Sequence, residues 1–195
     1  MNIEQKYINQ IIRNRRSIYP QFYTQQEIPE DVLHQVLENA NWAPTHKLTE
    51  PWRFIIFRGT AREALGNYLA TAYKKNTPPD KFSELKYKKK YKKALQSNCI
   101  IAIYMQRDLR VQIPEWEEIA AVACAVQNIQ LTCSAYGIGC YWSTPKSILQ
   151  ADKFLGLTGD QKCLGLLYMG YHNAPKTEGI RSSIKEKIRN FEMAD

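Results

Sequence analysis

The sequence predicts a single mixed α+β domain, and three observations carry that reading. Helical periodicity comes first in the chain. Four short β-branched or aromatic runs then follow, interspersed with helices but in no regular βαβ series. No internal repeat or linker divides the 195 residues, and with 44% hydrophobic and 11% aromatic side chains the chain can fill one compact core.

Each element has a local reason. Ile3, Tyr7, Ile8, Ile11 and Ile12 recur at helical spacing and predict an amphipathic helix over 2–14. Pro29, at a first helical position with Glu30 and Asp31 behind it, opens a second helix with an apolar face of Val32, Leu33, Val36, Leu37 and Ala40. Residues 42–51 form a loop punctuated by two prolines, and 52–57 form a strand closed by Gly59. A helix over 60–73 follows, with Thr60 as cap and Glu63 completing a capping box. The apolar run 98–105 reads as a buried strand. Residues 114–136 carry the clearest helical signal: a proline at the start, Glu115, Glu117 and Glu118 in the first turn, and an apolar or small interior that makes this the central helix. Strands over 138–142 and 163–171 complete the set. The tail, 174–195, is polar, with a last helix near 182–190.

Composition narrows the function classes. No apolar run approaches the ~20 residues that cross a bilayer, and residues 1–6 lack a signal peptide's apolar segment, so a cytoplasmic protein without a membrane partner is expected. Five cysteines form no Cys-x-x-Cys pair; each sits among apolar residues and reads as a buried free thiol. Three histidines without ligand spacing argue against a metal site. Of the net charge of +8, nearly all lies between residues 74 and 93, where nine lysines face only Asp80 and Glu84. A nucleic-acid-binding face is usually spread over a fold, so this segment (74–97 with its flank) reads first as a solvated, flexible insertion or lid. A basic nucleic-acid or acidic-surface binder is the alternative. Tyr87 and Tyr91, four residues apart, also allow a helix with one aromatic stripe. Rossmann, P-loop and nucleophile-elbow motifs are absent.

Two stretches carry candidate chemistry. Arg15, Arg16 and Ser17, directly after the first helix, can grip a phosphate with two guanidiniums and a hydroxyl, or can simply complement the helix dipole. His46 and Lys47 lie in the proline-bounded loop before a strand, where a flat heteroaromatic ring that becomes anionic on reduction would find a cationic donor. An ordinary turn with a Pro-Trp anchor is the other reading of that loop.

Taken in order, these stretches resemble the nitroreductase family of flavoproteins. Arg15-Arg16-Ser17 is similar to the family's phosphate motif. Ala43-Pro-Thr-His-Lys47 followed by Glu50-Pro-Trp-Arg-Phe54 is similar to its second motif. The central helix with Ala123, Val126, Gln127, Asn128 and Leu131, then Gly137-Ile-Gly-Cys-Tyr-Trp-Ser143 and Gly170-Tyr171, extend the match to nearly the whole chain. The resemblance implies one nitroreductase-like domain over 1–195, with a central mixed, mainly antiparallel sheet flanked by helices, in an intertwined homodimer. It implies FMN at the subunit interface, reduced by NADH or NADPH in a ping-pong reaction that delivers electrons to nitroaromatic, quinone or similar acceptors, with no protein side chain as catalytic acid or base. By position, Arg15, Arg16 and Ser17 would hold the phosphate. Trp42 and His46 would reach the other subunit's flavin, with Lys47 tuning the ring, while Tyr141, Trp142 and Ser143 would line it. Arg181 would be a second phosphate cation, ahead of Lys176 and Lys185. Glu50 replaces the usual Gln, and Trp142 stands where an arginine is often found, departures that bear on substrate choice. Specialised flavin chemistry on the same fold (dehalogenation, dehydrogenation or flavin breakdown) is the alternative within the family.

Overall fold

The structure, a computed structural model, describes residues 2–191. The chain runs α1 (Ile3–Asn14), α2 (Glu30–Asn41), β1 (Trp52–Phe57), α3 (Thr60–Lys75), α4 (Glu84–Leu95), β2 (Cys99–Gln106), α5 (Glu115–Ala135), β3 (Ile138–Ser143), α6 (Lys146–Leu149), α7 (Asp152–Leu155) and β4 (Gln161–Tyr171), with short 3₁₀ turns between. The strands form one sheet in the order β1-β2-β4-β3, and every neighbouring pair is antiparallel. A parallel bridge from Ser17 to Cys140 on the outer edge of β3 supplies the mixed character.

Alternation along β2 decides the layering. Cys99, Ile101, Ile103 and Met105 point into a core shared with Leu33 and Val36 of α2 and Val122, Val126 and Ile129 of α5. Ile100 and Ala102 point the other way, to Leu65 and Leu69 of α3, Ala94 of α4, Ile148 of α6 and Leu155 of α7. With both faces covered, the central strand reads as the continuous apolar run seen in the sequence.

A bulge in β4 resets which of its residues face each core. Ile103 faces Gly165 but Tyr104 faces Cys163, so Leu164 is the extra residue. The slip lets Cys163 and Leu166 face one core while Leu164 and Leu167 face the other. Gly165 makes it possible: its φ is 130°, and a Cβ there would sit 2.6 Å from the Trp142 indole nitrogen and 2.7 Å from the Ser143 carbonyl.

Several sequence expectations need correction. The cap of α3 is Gly59, with φ 51°, and Thr60 is the first helical residue; no side-chain cap forms. Pro29 caps α2 instead of opening it. The lysine-rich segment is helical, as the spacing of Tyr87 and Tyr91 allowed. It holds α4, capped by the Ser83 hydroxyl, and Gly66 lets Tyr91 and Ala94 settle directly on α3. Tyr73 and Phe82 stack beside it at 5.7 Å. The aromatic stripe supplied the packing energy that the lysines lacked. Cys124 is exposed; the other four thiols are buried. α5 is apolar all round, so the sequence could not tell its covered side from its open one. The expected last helix is only a 3₁₀ turn at Ile184–Lys187, because Ile180, Ile184 and Ile188 find nothing to pack on and a short isolated helix is marginal in water. Among the described residues no helix is long and apolar enough to cross a membrane.

Gly165→Ala should strain the backbone and push the Trp142 side of β3 away. A loss of about 3 kcal/mol is expected, lowering Tm by roughly 6–12 °C in a thermal melt. An unchanged melt would mean the bulge does not depend on the glycine.

Candidate functional site

The last turn of α1 delivers three arginines to one place. Arg15 ends the helix, its N–H bonded to Ile11 O at 3.0 Å, and Ile18 N donates to Cys140 O at 3.0 Å, which lays the following segment along the edge of β3. The Tyr23 hydroxyl lies 2.7 Å from the Ile18 carbonyl and 2.9 Å from that of Tyr168, fastening the same segment to β4. Between α1, the end of α5, the start of β3 and the tail lies a cleft of about 920 Å³, lined by Arg13, Arg15, Arg16, Gln130, His172 and Lys176 among others. Arg15 Nη1 donates to Gln130 Oε1 at 3.3 Å, and Arg16 Nη1 to Arg15 O at 2.7 Å. Arg16 Nε also donates to Thr177 O at 3.4 Å, pinning the tail as one wall. His172 accepts from Ala174 N through Nδ1 at 3.2 Å, and burial pushes its imidazole below the ordinary value. None of the four cations forms an ion pair among the described residues; Glu178 is the one carboxylate in the lining. Such a cluster repels itself until an anion enters.

The expected site residues do not all converge. Arg15, Arg16 and Lys176 share the cleft; Arg181 lies outside it, exposed, donating to its own neighbour's Ile180 O. Ser17, in the bridge to Cys140, is not among the lining residues, although its neighbours Arg16 and Ile18 are. On β3, Tyr141 and Ser143 face one side and Trp142 the other, where its Nε1 donates to Leu164 O at 3.0 Å and its ring packs on the core. Tyr141 donates to Ser143 Oγ at 2.8 Å and its ring lies 4.7 Å from that of half-exposed Tyr19, two residues beyond Ser17.

Lys93 of α4, which sequence reasoning passed over as one lysine among many, reaches this group. Its Nζ donates to the Tyr141 hydroxyl at 2.9 Å and stands 4.1 Å and 4.4 Å from the Tyr141 and Tyr168 ring centres. Burial pushes the ammonium below the ordinary lysine value; the Tyr141 contact opposes this, and the charges of Lys90 and Lys89 add to it. Burial would raise the Tyr141 phenol, but the hydrogen bonds with Lys93 and Ser143 and the charges of Lys93 and Lys90 outweigh it, leaving the phenol below its usual value.

The loop over 42–51 is held in an uncommon form. Lys47, Leu48 and Glu50 all have positive φ, at 50°, 54° and 40°, a region that side-chain-bearing residues rarely adopt. Glu50 N donates to Thr45 Oγ1 at 3.1 Å, and Arg53 Nη1 binds the Glu50 carbonyl at 2.7 Å. His46 Nδ1 lies 2.5 Å from Glu117 Oε2 in the first turn of α5. Trp42 and Leu48 remain 79% and 80% exposed, which leaves this loop's apolar groups uncovered in a single chain. Within one chain the loop and the cleft stand at opposite ends of α5: Glu117 and Gln130 are separated by about 20 Å of helix.

Fold and cleft together define an α+β protein with a cationic cleft at the edge of its sheet. The chain belongs to the nitroreductase family, whose model matches residues 12–171. Among curated relatives, YfhC of Bacillus subtilis, named provisionally as an NAD(P)H nitroreductase, is 28% identical over 184 residues, covering 93% of this chain and 92% of that protein. A nitroreductase-like family protein from Bacillus cereus superposes with a TM-score of 0.79 at 29% identity, covering 95% of this chain and 96% of that one. The FMN-dependent nitroreductase NfnB of Mycobacterium smegmatis, crystallised with NADPH, superposes with a TM-score of 0.76 at 17% identity, covering 97% and 100%.

The Lys93–Tyr141 contact has a spectroscopic signature. A tyrosine should ionise below the ordinary range when the folded protein is titrated by near-ultraviolet absorbance. Tyr141→Phe should abolish that early phase, Lys93→Met should move it upward because only the Ser143 hydrogen bond and the Lys90 charge then oppose burial, and Lys93→Arg should restore it. Persistence of the phase in Lys93→Met would show that the lysine does not set it.

Proposed function

We propose that the chain is an FMN-dependent oxidoreductase that uses NADH or NADPH to reduce nitroaromatic, quinone or similarly electron-poor acceptors, working as a homodimer in the cytoplasm. The observation that carries this reading is the cleft, where Arg13, Arg15, Arg16 and Lys176 surround a ligand-sized space without a paired carboxylate. A phosphate monoester fits that donor set: two guanidiniums can each offer paired N–H groups and Lys176 adds a point charge. In this reading Lys176 takes the role that the sequence assigned first to Arg181. The NADPH bound to NfnB supports a nicotinamide reductant.

Tyr141, Ser143 and Lys93 would line the ring, and Trp142 braces β3 from the core side. FMN, when bound, would supply the two-electron chemistry between reductant and acceptor. The chain's own part is to hold and orient, and to place the Lys93 charge where reduction makes the ring negative.

Two-fold pairing completes the site. On α5, Trp116, Ala120, Ala123, Cys124 and Gln127 form an exposed, mostly apolar or small stripe. Antiparallel packing of this stripe on a second copy would carry the loop of one chain, with Trp42, His46 and Lys47, toward the cleft of the other. It would also cover the apolar face of α1, where Ile3, Tyr7, Ile8 and Ile12 are exposed.

The purified protein should be yellow, with a flavin spectrum that NADH or NADPH bleaches; a colourless protein that FMN cannot reconstitute would end the reading. Arg15→Ala together with Arg16→Ala should weaken FMN binding about a hundredfold, roughly 3 kcal/mol, with unchanged circular dichroism. Ala123→Arg, which puts a charge in the stripe, should give a monomer in sedimentation and a parallel loss of flavin. A dimer that keeps its flavin would move the interface elsewhere. Bound FMN with poor nitroaromatic turnover would direct attention to specialised flavin chemistry.

A further inference from the structure

The charge of the lysine-rich helix is one-sided. At 3.6 residues per turn, Lys86, Lys89, Lys90 and Lys93 fall at i, i+3, i+4 and i+7 on one flank of α4. Lys88 and Lys92 fall on the other flank, and the helix's lone carboxylate, Glu84, pairs there with Lys88 at 3.6 Å. Among the described residues no carboxylate pairs with the first four. Like charges at this spacing destabilise a helix, so the stripe opposes the folding of α4.

The stripe also has a direction. Lys86 and Lys89 are exposed, Lys90 and Lys93 are half-buried, and the last ammonium rests on Tyr141. Over about 10 Å it leads from solvent to the aromatic edge of β3. The helix packs against the turn at Pro20–Phe22, just beyond Arg15-Arg16-Ser17, so the stripe ends at the Tyr19–Tyr141 edge of β3, where the proposed ring would lie. A nucleic-acid surface would keep its cations exposed to track successive phosphates; this row turns inward after two residues.

We propose that the Lys86–Lys89–Lys90 stripe selects substrates by charge, drawing those with a carboxylate, sulfonate or phosphate group to the ring in preference to neutral ones. The inference rests on the flavin reading above and extends it to the substrate class. The anionic group can belong to the acceptor or to the 2′-phosphate of the reductant. In either case the uncompensated lysines raise its local concentration and favour its approach along α4.

The test uses the FMN-loaded protein, with flavin content measured first. Steady-state kcat/KM is compared for para-nitrobenzoate and the neutral para-nitrobenzamide, and reduction rates for NADPH and NADH. The variants are the triple Lys86→Gln, Lys89→Gln, Lys90→Gln and, as a control of equal type, Lys88→Gln with Lys92→Gln. If the acceptor carries the anion, the triple variant should lose about tenfold in the nitrobenzoate-to-nitrobenzamide ratio and the salt dependence of that ratio. If the reductant carries it, the NADPH-to-NADH ratio should fall instead. Loss of either ratio with an unaffected control supports the proposal. Unchanged ratios, equal losses for charged and neutral substrates, or the same effect in the control overturn it. A parent protein without FMN fails at the earlier step and overturns both.

Discussion

Burial of α5 is the constraint on which the other elements depend. Its Val122, Ala125, Val126, Ile129 and Cys133 are almost fully enclosed between the sheet and α2. Each large aliphatic group among them contributes about 1.5–3 kcal/mol. Because the helix is 21 residues long, about 30 Å, it cannot be covered at one end only. At its start, three acidic side chains fasten three different elements: Glu115 to Lys162 of β4 at 2.6 Å, Glu117 to His46, and Glu118 to Arg107 at 2.7 Å. Glu118 is fully buried and also accepts from Asp108 N at 3.0 Å, so its charge is satisfied twice. At its end, Gln130 and Ser134 become cleft wall.

The placement of acids explains the cleft's character. The carboxylates near α5 are spent on fastening its first turn, and Asp108 is held by Arg110 well below the usual carboxylate range, to about 2. At the opposite end of the helix, among the described residues, no carboxylate pairs with the arginines of α1. The same separation recurs on α4, where Glu84 serves one flank only. The described residues therefore hold two positive features without paired acids, the cleft and the lysine stripe, and the stripe ends on the Tyr141–Tyr19 pair.

Much of this was legible in the residues. Strand runs with β-branched and aromatic content gave β1 at its full extent and β2 within a residue, because a strand buried on both faces needs an unbroken apolar run. The Pro-Glu start marked α5 to within a residue. The arginine cluster and the loop at His46 were visible as types of residue, but not their separation by the length of α5. Periodicity failed where a helix was apolar on nearly every side, hence Cys124; on α4 the Tyr87–Tyr91 stripe was visible, but the surrounding lysines ranked it second to a solvated surface. Lys93 was illegible for a simple reason: its meaning comes from Tyr141 across the fold, and no local pattern encodes that pairing. The opposite directions of Tyr141 and Trp142, by contrast, followed from strand alternation and could have been read.

The tail closes one side of the cleft through little more than the contact between Arg16 and the Thr177 carbonyl, while residues 175–191 lie exposed. A wall made of such a segment has its ordering entropy still to lose, and an occupant of the cleft shares that loss. Occupancy of the cleft and protection of residues 175–191 from proteolytic nicking would thereby be two readings of one equilibrium.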